Sequence, residues 1–164
     1  MNLPVVNIDD VELEPTEVGE LFAAKMAQLN SFVGSKKLGY RICVVPPGKR
    51  AWPRHAHLVN EEMVFVISGR GLLRYGNDES PLRAGDVIAF VPGPDTPHQI
   101  VNSSEQDLKY LCVSTMEEPE IVLYPDSEKY GVLAGSAPGG DKADRTFEVF
   151  AKRGVNLPYW EGEV

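Results

Sequence analysis

Three histidines and one glutamate carry the chemistry open to this chain. His55, His57 and His98 are the only histidines among its 164 residues. The run from His55 reads His-x-His, four residues, Glu62, six residues, Gly69, and His98 follows after the segment Pro92-Gly-Pro-Asp-Thr-Pro97. Imidazole nitrogens with one carboxylate suit a borderline divalent ion, and this donor list does not separate zinc, iron, manganese, nickel and copper. In a strand, residues i and i+2 point the same way, so His55 and His57 can grip one ion. Glu61 and Glu62 are neighbours, so only one of them can join. The spacing to Gly69 favours Glu62, which then shares its face with Val64 and Val66, and Glu61 reads as a surface charge.

The elements that must position these residues read as short strands. Tyr40–Val45, Met63–Ile67, Leu72–Tyr75, Val87–Val91, Gln99–Asn102 and Leu108–Ser114 are β-branched or apolar runs divided by Gly, Pro and Asn turns. Met63, Phe65 and Ile67 make the second face of their strand apolar too, so a cover is expected there, from the N-terminal arm or a second subunit. Residues 1–20 read as an acidic arm. Residues 21–30 fit a helix or a strand equally. Beyond residue 115 the pattern weakens to one possible strand in 117–126, a flexible loop at 134–141, and a tail from Val155 carrying Tyr159 and Trp160.

Length and composition suit one ordinary globular domain. Acidic residues outnumber basic ones 24 to 16, a net charge of −8, which argues against nucleic acid or an anionic membrane surface as partner. No apolar run approaches the ~20 residues of a membrane span, and the start lacks a basic signal-peptide region, so a cytoplasmic location is the default expectation. Cys43 and Cys112 read as buried, reduced thiols.

The chain resembles a cupin, a double-stranded β-helix of jelly-roll-like, all-β architecture. The first cupin motif is carried by Gly48, His55, His57, Glu62 and Gly69, and the second by Gly85, Asp86, Pro92, His98 and Asn102. Two loop gaps are one residue longer than usual, and Pro94 stands where a second glycine is common. The resemblance covers about residues 38–114. It implies a single domain over 1–164, with an N-terminal arm (1–20) and an irregular C-terminal tail (115–164). It implies that His55, His57, Glu62 and His98 bind a divalent metal inside the barrel, and that the protein is a homodimer. Four protein ligands leave two positions open on a six-coordinate ion, which suits an oxyanion, an enediolate or dioxygen.

Three functions share that ligand set. A sugar-phosphate isomerase needs a cation for the phosphate, from Arg41, Arg54, Arg74 or Arg83, and an inward base, for which Tyr40, Tyr75 and Tyr110 are candidates. A metal-dependent dioxygenase is the alternative, and a non-catalytic small-ligand-binding protein is the third. The isomerase is favoured by analogy within the family and by the arginines near the motifs; the catalytic residues themselves are not assigned.

Overall fold

The computed structural model describes residues 3–154 and 156–163. Met1 and Asn2 of the expected arm, and Val155 and Val164 of the expected tail, lie outside them.

Thirteen strands form three sheets among the described residues, joined by loops that include one short α-helix and two single 3₁₀ turns. The first sheet has six strands. At one edge β1 (Glu14–Val18) pairs with β2 (Phe22–Gln28), which pairs with β3 (Leu38–Val45). Then come β10 (Leu108–Thr115), β5 (Glu62–Ser68) and β8 (Val87–Phe90). The ambiguous segment 21–30 is therefore a strand for most of its length, because its Ala23 and Ala24 are buried against this sheet. A one-turn helix, α1 (Asn30–Val33), follows it.

A four-stranded sheet orders β13 (Phe147–Lys152), β12 (Lys129–Ala134), β11 (Glu120–Tyr124) and β4 (Ala56–His57). A three-stranded sheet orders β7 (Asp78–Arg83), β6 (Arg70–Tyr75) and β9 (His98–Val101). These two sheets meet where His55 and His98 exchange backbone hydrogen bonds of 3.1 and 2.7 Å. The tail, expected to be irregular apart from one possible strand in 117–126, supplies three strands, and the expected one, β11, pairs directly with the His57 strand through Val122.

Alternation sets the core. Val64 and Val66 of β5, Tyr110 of β10, Cys43 and Val45 of β3 and Phe90 of β8 are buried together. Gly69 turns β5 into β6 at φ +88°, and a Cβ there would lie 2.9 Å from Leu108 Cα. Only glycine combines that dihedral with that approach. The outer face of β5 stays open: Phe65 is 38 % and its partner Val87 67 % exposed. β1 lies at the opposite edge of the sheet, and Asp9 of the arm reaches Lys109 on the neighbouring β10 at 2.6 Å, so the arm comes beside this face but leaves Phe65 and Val87 exposed.

Candidate metal site

Each of the four singled-out residues sits where a strand begins or a turn ends. His57 closes β4, Glu62 opens β5, His98 opens β9, and His55 is fixed to His98 by the paired backbone bonds. Strand parity then aims them inward. Glu62 stands opposite Phe90 on β8 and Ser114 on β10, on the same face as buried Val64. Glu61 is exposed.

One ligand atom from each of His55, His57, Glu62 and His98 lies within 4.8 Å of all the others. Glu62 Oε2 is 3.3 Å from His98 Nε2 and 3.5 Å from His57 Nε2. The His98 ring stacks on Phe90 at 3.7 Å between centroids, which fixes its plane. At His55 and His98 the far ring nitrogen faces an oxygen two residues upstream: Nδ1 of His55 lies 2.8 Å from Pro53 O, and Nδ1 of His98 lies 3.2 Å from Thr96 O. Those carbonyls only accept, so in a neutral ring each Nδ1 carries the proton and Nε2 is the nitrogen left to bind an ion; Nε2 of His98 also lies within hydrogen-bond distance of Glu62 Oε2. Both ring nitrogens of His57 are buried with no hydrogen-bond partner, and Nε2 is the one turned towards Glu62. A buried, orphaned lone-pair nitrogen beside a carboxylate and two more imidazoles fits a divalent cation.

The electrostatics agree with a cation-accepting cage. Burial, reinforced by the neighbouring His98 and His57, lowers the His55 pKa to about 4, so it is neutral near pH 7. Burial opposes ionisation of Glu62, but its contact with His98 and the nearby imidazoles outweigh that and hold its pKa at about 2. Burial also pulls on His57, yet two carboxylates, Glu120 and Glu62, outweigh it and raise its pKa.

Glu120 escaped the sequence reading. It sits in the run Glu117-Glu-Pro-Glu120, which reads as surface charge, yet it is fully buried. Its Oε1 accepts from the backbone N–H groups of Leu58, Val59 and Ile121 at 2.9–3.2 Å. Oε2 accepts from Asn60 N at 3.0 Å and from the Asn60 side-chain amide. Only its proximity to the His-x-His strand, which is a tertiary fact, reveals it.

The cluster opens onto a cavity of about 420 Å³. Its floor comes from the first sheet (Arg41, Val64, Tyr110, Cys112), and one wall comes from the C-terminal sheet (Val122, Tyr124, Phe150). Gly131 lacks the Cβ that would otherwise lie 2.9 Å from Phe150 Cδ1, so that ring can lie across β12.

The arginines and tyrosines singled out from sequence divide. Arg54 is held by Asp126 at 3.2 Å and by Gly76 O. Arg74 is held by Gln99 at 2.9 Å, and Arg83 lines a separate open groove with Arg70 and Asp86. Arg41 lines the cavity. Tyr110 lines it too, and burial pushes its hydroxyl pKa well above the usual value. Tyr75 packs against Phe90, and Tyr40 pairs with Val113 on the outward face of the sheet.

Comparisons with known proteins agree with this architecture. The sequence profile of the cupin domain matches residues 41–114. An uncharacterised protein of Methanocaldococcus jannaschii is 38 % identical over 71 residues, covering 43 % of this chain, and the chain spans about half (54 %) of that relative's length. A sugar phosphate isomerase from a cupin superfamily of Silicibacter pomeroyi superposes with TM-score 0.75 at 24 % identity, over 95 % of this chain and 98 % of that one. A protein of Acidithiobacillus ferrooxidans, provisionally named a sugar phosphate isomerase, gives TM-score 0.75 at 23 % identity over 94 % and 97 %. A predicted oxalate decarboxylase of Thermotoga maritima gives TM-score 0.58 at 24 % identity over 68 % and 97 %. At these identities the likeness is one of fold.

Proposed function

On the premise that residues 41–114 make this chain a small cupin protein, we propose that it binds one divalent metal ion through His55, His57, Glu62 and His98 and acts as an isomerase on a small phosphorylated sugar. The bound ion would supply Lewis acidity for a substrate carbonyl or hydroxyl oxygen.

Arg41 is the observation that carries the choice of substrate. It stands opposite Cys112, which stands opposite Val64, two residues from Glu62 on the same inward face. Strand spacing puts its Cα about 12 Å from that of Glu62, room for a chain of a few carbons between them. Its Nε donates to Gln28 Oε1 at 3.3 Å and its guanidinium lies 5.6 Å from the Trp52 ring centroid. No carboxylate pairs with it among the described residues. A partly buried guanidinium facing a cavity without a counter-ion favours an anionic group there. Glu148, beside Leu133 on the cavity wall and paired with Arg145, is the second carboxylate available to exchange a proton. Tyr110, kept protonated by burial, would donate a hydrogen bond.

The test is to load tag-free protein with zinc, manganese, nickel or ferrous ion and supply phosphorylated aldoses and ketoses in D₂O. Interconversion with deuterium incorporation and no oxygen uptake supports the proposal. Oxygen consumption coupled to substrate loss replaces it with the dioxygenase reading, and tight binding without turnover replaces it with a ligand-binding role.

The same proposal takes the chain as one domain that works as a homodimer on a small-molecule substrate, with the exposed Phe65–Val87 face as the contact. Two free thiols suit the cytoplasm, and no helix among the described residues is long and apolar enough to cross a membrane.

A further inference from the structure

We infer that Glu120 is a positioning residue for His57, fixing the tautomer that turns its Nε2 towards the metal; the inference rests on the metal reading above. All five hydrogen bonds that Glu120 makes within the turn are ones it accepts, from Leu58, Val59, Ile121 and twice from Asn60. The oxygen nearest His57 is Oε2, 3.3 Å from Nδ1. An ionised carboxylate only accepts, so the His57 nitrogen facing it carries a proton, although the ring is not in line for a straight hydrogen bond. Carboxylates face both ring nitrogens, since Glu62 Oε2 lies 3.5 Å from Nε2; the closer Glu120 takes the single proton of the neutral ring on Nδ1 and leaves Nε2 as the lone-pair nitrogen turned into the cluster.

His57 does not use the device of the other two histidines. His55 and His98 each rest Nδ1 on the carbonyl two residues upstream. For His57 that carbonyl belongs to His55, and it already accepts from His98 N–H at 2.7 Å. The acceptor comes instead from β11, across the strand pair that joins Val122 to His57. Unlike the two carbonyls it carries a full charge, which makes His57 the more basic ligand and brings a dication with Glu62 and Glu120 to formal neutrality. The residue lies outside the segment 41–114 that matches the cupin profile, so the C-terminal sheet contributes to the site as well as to its wall.

Glu120 also staples the turn 58–60, and the test separates the two roles. Zinc affinity of the full chain is measured at pH 7 by competition with a chromophoric chelator, for wild type, Glu120→Gln and Asn60→Ala. Asn60→Ala removes the side chain that joins the turn to Glu117, Thr115 and Glu120 while leaving the carboxylate beside His57. The expected result is a loss of about 10- to 100-fold for Glu120→Gln, with Asn60→Ala within about threefold of wild type. Folded Glu120→Gln that binds zinc as tightly as wild type overturns the inference, and so does an equal loss in both variants. Should Glu120→Gln not fold, long-range ¹H–¹⁵N spectra of metal-free wild type at pH 8.5 decide. His57 in the Nδ1–H form supports the inference, and the Nε2–H form or a mixture overturns it. Wild type that binds no zinc refutes the metal reading, while the tautomer still judges Glu120.

Discussion

The segment 41–114 and the segment 115–154 build the two sides of one site by different means. The first places all four proposed ligands at strand ends, and two of its histidines orient themselves on carbonyls two residues away. The second contributes none of the four and instead places a fully buried carboxylate behind His57 and aromatic rings along the cavity wall. The identity of the proposed ligands is thus local and readable as spacing, whereas the carboxylate proposed to orient His57 and the shape of the cavity are long-range. The comparison predicts a hierarchy: damage to the first segment should abolish metal binding, and damage to the second should weaken or reshape it.

The largest effect is expected from the ligands. His98→Ala or Glu62→Ala should cost more than about 100-fold in zinc affinity, beyond the range expected for an outer partner of a ligand, as read by chelator competition. A variant that keeps wild-type affinity would remove its residue from the ligand set. Glu120→Gln comes next, and an effect as large as that of His98→Ala would erase the distinction between the two segments. Arg41→Ala should leave zinc affinity unchanged within about twofold but weaken binding of a phosphorylated sugar by about 10-fold or more, the loss of a charge-assisted contact. Calorimetry with metal-loaded protein reads both, and unchanged sugar-phosphate affinity would dismiss Arg41 as the anion contact.

A subtler contrast lies in acid. His55 has a folded-state pKa of about 4, below its ordinary 6.5, so below about pH 6.5 the unfolded chain binds the proton first. Its contribution to stability therefore falls as pH drops from about 6.5 to about 4. His57, with a raised pKa, works in the opposite sense and stabilises as it protonates. Denaturant unfolding of metal-free protein at pH 7 and pH 5 should show a smaller acid loss in His55→Gln than in wild type. An equal or larger loss would contradict the burial of a neutral His55. The smallest effect is expected for Glu61→Gln, exposed and outside the cluster: within about 0.5 kcal/mol in stability and no change in metal affinity.

Much of this site was legible because its residues obey short-range rules. Parity admits only one of Glu61 and Glu62 and the spacing to Gly69 favours Glu62, and the strands around Tyr40–Val45, Met63–Ile67 and Leu108–Ser114 announce themselves by β-branched and apolar runs. The segment 21–30 reads both ways because Phe22, Ala24 and Met26 alternate as a strand face while Leu21, Phe22, Met26 and Leu29 also fit a helical stripe. Pairing with β3 resolved it in favour of a strand. Of the C-terminal strands only β11 is expected from sequence, as one possible strand in 117–126, because inward positions there break the apolar code. In β11 the first inward residue is a charged Glu120, and in β12 one inward residue is Gly131, whose space Phe150 fills. A buried carboxylate and a missing side chain both read as surface in sequence, and only the neighbours that satisfy them show otherwise.

The central claim, that His55, His57, Glu62 and His98 hold one divalent ion, is tested most directly by elemental analysis of tag-free wild type and His98→Ala after loading with each candidate metal and desalting. The account predicts one equivalent of metal per chain in wild type and its loss in folded His98→Ala. Wild type that retains no stoichiometric metal under any loading condition would contradict it.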